Sequence, residues 1–414
     1  MTYNIINNNV PFVLIKDISL VLRSQRNTKL DNKSVGNKNV VDNKHHKNNS
    51  DNGVNGVNGD NDDIFLSKSI FTYVQQLKKE IDNYQNEWDI IKKYVNPYEF
   101  IHTKIPGDKV AVCKYIPISR SFFKLIEIFY CVQLNKTIEN KTINTMHLAE
   151  APGGFMEAIH YYAKQTNTQI NSCVGLSLNG VKSNIPSWNM FYINTLKNTT
   201  VEQGIHNCDL TNSDNYLYII NKYQPMYDII TADGGFDFSC DFNNQETLSQ
   251  PLLISEMLYA VSLQKPGGMF ILKIFDCFTK LSAEIIYILS SFYEKIYIYK
   301  PNTSRPANSE KYIICKNFKY SEKARNDLIT IIPNILKNAY NIHSLLNFDL
   351  PLFFVNKLEE INAILGQQQL ETISSTITLI THKSQKDKLE SLKNNNIQKC
   401  INWCCKHNFP YNVL

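Results

Sequence analysis

The sequence predicts an α/β fold: a parallel sheet with helices on both faces, set between helical N- and C-terminal extensions. Three observations lead there. After Asn144, short apolar segments alternate with amphipathic ones, the pattern of strands joined by crossover helices. A glycine pair, Gly153-Gly154, lies between the first of these strands and the helix after it. Both flanks carry apolar residues at helical spacing.

In chain order, residues 1–25 form a short N-terminal segment. Residues 26–63 are dominated by Asn, Asp, Lys and Gly, too polar to offset the entropy of ordering them, and are expected to be a disordered insert. Residues 64–110 form a helical extension, with Phe71, Val74, Leu77, Ile81 and Tyr84 at steps of three and four. A further helix is signalled at 121–128. The α/β domain covers residues 111–318, with strands expected near 146–149, 172–177, 228–232, 269–274, 295–299 and 311–316. Helices at 155–164 and 248–263 fall between them. Residues 319–414 read as a helical subdomain, with segments at 328–335, 352–365 and 386–405.

The chain has 414 residues, 43% of them hydrophobic, and a formal charge of +5. That is enough for one large domain and an appendage. The mild basic excess permits an anionic partner without demanding one. The N-terminus lacks the profile of a secretory signal, and no apolar run approaches the roughly 18 residues that span a bilayer. Cys131, Cys173, Cys277 and Cys315 sit singly in apolar segments. A reduced, intracellular, soluble protein without disulfides is therefore expected. Cys400, Cys404, Cys405 and His407 lack paired Cys-x-x-Cys spacing, so a helix with buried thiols around Trp403 is expected rather than a metal site.

The segment Glu150-Ala151-Pro152-Gly153-Gly154-Phe155 follows a strand and opens a helix, where open α/β sheets bind ligands. The glycines admit close approach of a ligand, and free N–H groups at the helix start suit a carboxylate. The pattern is neither G-x-G-x-x-G nor a P-loop, which disfavours nicotinamide and nucleoside-triphosphate chemistry.

Ala151-Pro152-Gly153-Gly154-Phe155 resembles the cofactor loop of FtsJ-like RNA ribose 2′-O-methyltransferases. The resemblance covers about residues 110 to 318. It implies a Rossmann-like class I methyltransferase sheet, S-adenosyl-L-methionine as cofactor, and contacts to it from residues 150–155, Asp209 and Asp233. Asp209, in Cys208-Asp209-Leu210-Thr211, stands where the family contacts the adenine amino group. Gly175-Leu176-Ser177-Leu178 offers no carboxylate for the cofactor ribose, so that contact is not carried over.

Four further segments follow in family order: Ser119-Arg120-Ser121-Phe122-Phe123-Lys124, Asp233-Gly234-Gly235-Phe236, Leu272-Lys273-Ile274-Phe275 and Ser304-Arg305-Pro306-Ala307-Asn308-Ser309-Glu310. By resemblance Lys124, Asp233, Lys273 and Glu310 are the catalytic Lys-Asp-Lys-Glu tetrad, and no metal is implied. A lysine between Leu272 and Ile274 is unusual on its own terms, because burying its charge is costly. A ribose hydroxyl is a poor nucleophile, so the reaction needs proton removal and in-line placement. A free lysine titrates at about 10.4. Lys124 and desolvation are expected to lower Lys273, the candidate base, against the pull of Asp233.

Residues 273–279 and 300–310 are similar to eukaryotic and large-DNA-virus mRNA cap 2′-O-methyltransferases. This implies a capped mRNA substrate, with Arg120, Asn243, Asn244, Gln245, Arg305 and Asn308 as candidate RNA contacts. A capping or transcription partner, and a location in host cytoplasm, virion or nucleus, would follow from such a role. Tyr115, Phe236 and Phe238 lie near the relevant loops, but the sequence does not locate a cap-guanine pocket. The rival readings are a ribosomal or transfer RNA ribose methyltransferase, an inactive FtsJ-like scaffold and a small-molecule methyltransferase.

Overall fold

The computed structural model describes residues 2–7, 13, 15–22, 64–180, 185–235, 244–382 and 386–412. The expected 26–63 insert lies outside these residues. The order is β1 (Thr2–Asn7), β2 (Ile18–Leu22), α1 (Lys68–Ile81), α2 (Gln85–Val95), α3 (Ser121–Cys131), α4 (Asn135–Ile138), β3 (Thr142–Leu148) and α5 (Gly154–Gln165). There follow β4 (Gln169–Leu176), α6 (Met190–Ile193), β5 (Thr199–Glu202), α7 (Ser213–Lys222), β6 (Tyr227–Ala232), α8 (Gln245–Leu263), β7 (Gln264–Ile274) and α9 (Lys280–Phe292). The chain continues with β8 (Tyr293–Tyr299), β9 (Lys311–Phe318), α10 (Glu322–Asn338), β10 (Ile342–Leu346), α11 (Leu352–Thr381) and α12 (Lys386–Lys406).

One eight-stranded sheet runs β1-β8-β9-β7-β6-β3-β4-β5. The stretch from β5 to β7 is parallel, while β9 enters antiparallel between β7 and β8 and β1 pairs antiparallel on β8. Successive side chains of a strand face opposite ways. Accordingly Ile229 and Ile271 join one apolar cluster with α3, α5 and α12, while Ile230, Phe270 and Leu272 join another with α7, α8 and α9. Burial on both faces explains why these strands read as continuous apolar runs.

The chain adds β4 and β5 on one side of β3, then returns to place β6 on the other. The carboxyl ends of β3 and β6 therefore flank the point where strand order reverses, the ligand crevice of such sheets. Helix starts are locally encoded: Asn212, Thr279 and Ser321 accept from backbone N–H groups at the heads of α7, α9 and α10.

Among the described residues the six expected strands are present, and four more accompany them. Short β5 is polar and at the sheet edge, whereas β2 pairs with β10 from the far end of the chain, so neither had a local signal. The C-terminal region is helical apart from β10, and α11 continues well past residue 365 to Thr381. Its second half buries Gln369, Ile373 and Thr376, a stripe whose polar members hide the period. None of the nine cysteines among the described residues is bridged. Among those residues no helix is long and apolar enough to cross a membrane.

Candidate active site

Strand register brings together the residues expected to form the tetrad. In the parallel pairing Ala232 is level with Leu272, so Asp233 emerges beside Lys273. In the antiparallel pairing Tyr312 lies directly opposite Lys273, and Glu310 immediately precedes β9. Lys124 arrives from α3, where residues Phe122 to Phe129 are all buried. Lys273 Nζ donates to the Asp233 carbonyl at 2.7 Å and lies 3.3 Å from its Oδ1. Lys124 Nζ is 2.7 Å and 2.8 Å from the two oxygens of Glu310. The structure thus brings all four residues together, with Lys124 and Lys273 only 6% and 9% exposed.

The electrostatics differ from the expectation for Lys273. Burial pulls its pKa down, but Asp233, Glu310 and Glu256 together hold it above the ordinary lysine range. Lys124 is the lysine that falls: burial dominates, opposed by Glu310 and Asp233 and reinforced by Arg120 and Lys273. Burial alone would raise Glu310, yet Lys124, Lys273 and Arg120 keep it well below the usual carboxylate range. Each lysine is thus set against a carboxylate, Lys124 on Glu310 and Lys273 on Asp233.

Three neighbours had not been expected. Tyr312 donates to Asp233 Oδ1 at 2.9 Å and fixes that carboxylate. Glu256 on α8 is completely buried beneath Gly234, where an added Cβ would lie 2.3 Å from its Oε1. Neither Glu256 oxygen has a hydrogen-bond partner among the described residues. Burial pushes its pKa up to about 8 although Lys273 draws it down. Lys300 Nζ donates to the Asn308 backbone carbonyl, to Asn308 Oδ1 and to the Glu310 carbonyl at 2.7–2.9 Å. A glutamate inside the apolar run of α8 was a visible signal; Tyr312 becomes legible only through strand register.

The glycine turn lies at the end of β3. Ala149 adopts φ 50° and Gly153 φ 118°, and the latter is a conformation that glycine alone adopts without strain. Gly154 is packed so tightly on the preceding segment that a Cβ would meet Ser119 Oγ at 2.2 Å and Ser121 Oγ at 2.3 Å. Ala151 and Pro152 form a cis peptide bond between Glu150 and the glycines. Glu150 turns inward: its carboxylate accepts from Phe155 N at 2.6 Å and Met156 N at 3.5 Å. Those two amides are thus capped from within, so they are not the free N–H groups expected at the helix start.

Asp209 follows a turn in which His206, Asn207 and Cys208 all have positive φ, at 49°, 59° and 56°. Consecutive non-glycine residues in this region store strain of the kind found at functional sites. Asp209 Oδ1 accepts from Thr211 N and Oγ1, while no hydrogen bond reaches Oδ2 among the described residues.

The candidate RNA contacts divide. Arg120 has no hydrogen bond or ion pair among the described residues, although it is half-buried beside Glu310. Arg305 is tied by two bonds, at 2.9 and 2.6 Å, to buried Glu99, so its Nε and Nη2 face that carboxylate rather than a phosphate. The Asn308 amide oxygen is taken by Lys300 and Ser304, and Gln245 Oε1 accepts from Ser309 Oγ. Asn244 is exposed at the head of α8; Asn243, Phe236 and Phe238 lie outside the described residues. Tyr115 stacks one ring face on Phe122 and donates its hydroxyl to Glu157. Cys400 and Cys404 are buried beside Trp403. Among the described residues no group of three or more His, Cys, Asp or Glu is placed to hold a metal.

Comparison with known proteins matches residues 117–318 to the FtsJ-like methyltransferase family. The cap-specific mRNA (nucleoside-2′-O-)-methyltransferase 2 of Danio rerio is 28% identical over 305 residues, covering 66% of this chain and 39% of the relative. Its counterpart from Drosophila melanogaster is 28% identical over 207 residues, covering 46% and 29%. The cap-specific mRNA (nucleoside-2′-O-)-methyltransferase 1 of Ailuropoda melanoleuca is 41% identical over 123 residues, covering 30% and 15%. The chain spans well under half the length of these relatives.

Proposed function

From the premise that residues 117–318 carry an FtsJ-like methyltransferase domain, we propose that this chain is an S-adenosylmethionine-dependent mRNA cap (nucleoside-2′-O-)-methyltransferase. Its target would be the ribose 2′-hydroxyl of the first transcribed nucleotide. The observation that carries this reading is the buried Lys124–Glu310 and Lys273–Asp233 pair of ion pairs at the carboxyl ends of the central strands.

The residues present fit the cofactor. Gly153, at φ 118°, turns the chain sharply between the carboxyl end of β3 and α5, and Asp209 leaves one carboxylate oxygen facing no hydrogen-bond partner among the described residues. Residues 150–155, Asp209 and Asp233 would hold S-adenosylmethionine, which supplies an electrophilic methyl group on a cationic sulfur. Lys273 would receive the ribose proton. Lys273, whose pKa Asp233 raises, would first lose its own proton to solvent, favoured by the positive charge of the bound cofactor, and the neutral amine would then take the ribose proton. Asp233 aims that amine, and Tyr312 holds Asp233 in place. The Lys124–Glu310 pair fixes the hydroxyl for in-line attack. Arg120 would take a phosphate of the RNA.

The test uses labelled S-adenosylmethionine with short RNAs ending in a methylated cap, an unmethylated cap or a bare triphosphate, and digestion to locate the label. Label on the first-nucleotide ribose of capped RNA is expected. Lys273→Ala should lower the rate about 10²–10⁴-fold, the usual worth of a general base, with cofactor affinity retained. Label on uncapped RNA alone would replace this reading with a structural-RNA methyltransferase. Cofactor binding without transfer to any RNA would leave a scaffold.

A further inference from the structure

We propose that Glu127 is a positioning residue that clamps the loop ahead of Glu310 and joins the C-terminal helix α12 to the active centre. The inference rests on the catalytic reading of Glu310 given above.

Glu127 lies three residues after Lys124 on α3, so the two share a helix face. Lys124 holds the far end of the 300–310 loop through Glu310, and Glu127 holds its near end. The Glu127 carboxylate is buried and receives six donors. Oε1 accepts from Tyr299 Oη at 2.8 Å, Asn302 N at 2.8 Å and Asn302 Nδ2 at 2.6 Å. Oε2 accepts from Thr303 N and Oγ1, each at 3.1 Å, and from Trp403 Nε1 at 3.4 Å. These donors come from β8, the loop and α12, the last of which lies outside residues 117–318.

A buried carboxylate is tolerated only when it is fully engaged. Here the engagement falls on one loop: beyond Glu127, Ala307 O accepts from Gln369 Nε2 and Ser309 Oγ from Lys78 Nζ. Rotation of Asn302 and Thr303 away from α3 would carry Glu310 off Lys124, and catalytic geometry tolerates little such error. Trp403 closes the clamp from behind, and its ring also packs edge-on to Phe123.

The test compares wild type, Glu127→Gln and Trp403→Phe as full-length protein. Glu127→Gln keeps the shape but puts donors of its own amide against other donors. It should lower kcat at least tenfold while the dissociation constant for S-adenosylmethionine stays within twofold. Trp403→Phe, which leaves the carboxylate intact, should lower kcat by about two- to fivefold. Amide hydrogen exchange should quicken in residues 300–310 and be unchanged in β3 and β4. Unchanged kcat in Glu127→Gln, or a loss that merely follows weaker cofactor binding and general unfolding, would overturn the proposal. If wild type methylates no RNA, the proposed function fails instead. The exchange arm then decides alone: faster exchange confined to the loop sustains the clamp, and none overturns it.

Discussion

Arg120 and Arg305 both lie near Glu310 and should respond oppositely to truncation. Arg305→Ala removes the ion-pair partner of Glu99, a buried carboxylate whose pKa burial would raise and which Arg305, with His102 and Arg120, holds at about 2. Breaking such a pair costs about 3–5 kcal/mol, which urea denaturation would register, whatever RNA does. Arg120→Ala breaks no ion pair among the described residues. It should leave stability within about 1 kcal/mol and reduce the salt dependence of RNA binding by about one unit of slope. Glu256 makes a different prediction. Its pKa is raised to about 8, so the native state keeps a proton that the unfolded chain releases at an ordinary carboxylate pKa. Stability should therefore fall as pH rises from about 4.5 to 8, by up to about 1.4 kcal/mol per pH unit. Glu256→Gln should match wild type at pH 4 and surpass it at pH 9 in denaturant titrations. Lys124 and Lys273 were legible because ordered motifs surround them; the upward shift of the Lys273 pKa was not, since it depends on acidic side chains brought in by other elements.

At the scale of elements, the contact between α5 and α3 is the most sensitive to substitution. Gly154→Ala would drive a methyl group into Ser119 and Ser121, an overpacking expected to cost about 1–3 kcal/mol. Removing both hydroxyls as well, with Ser119→Ala and Ser121→Ala, should restore most of the loss in thermal melts. Here the glycine pair was readable from sequence, but its reason was only half so. Gly153 serves backbone conformation, as expected of a turn, whereas Gly154 serves the approach of a segment some thirty residues earlier. Strands such as β3 and β7 were visible because both faces are buried. The short strands β2 and β10 gain their structure from each other, and neither sequence alone carries that information.

At the scale of the molecule, the helical flanks share their apolar packing with the sheet domain. α1 and α2 pack on α11, and α12 places Cys400, Trp403 and Cys404 in the same apolar cluster as α3 and α5. Residues 117–318 expressed alone should therefore expose that cluster and fail to show a cooperative melt, whereas the full chain melts cooperatively. Resemblance to a family, confined to the sheet, could not reveal this dependence. The pairing of Thr2–Asn7 on β8 has a consequence of another kind. β8 carries Tyr293, Ile296, Ile298 and Tyr299, and a bare strand of that composition would invite strand addition from a neighbouring copy. The first strand thus occupies the hydrogen-bonding groups of β8 and moves the edge of the sheet to a short strand that carries Asn4 and Asn7, a poorer template for strand addition.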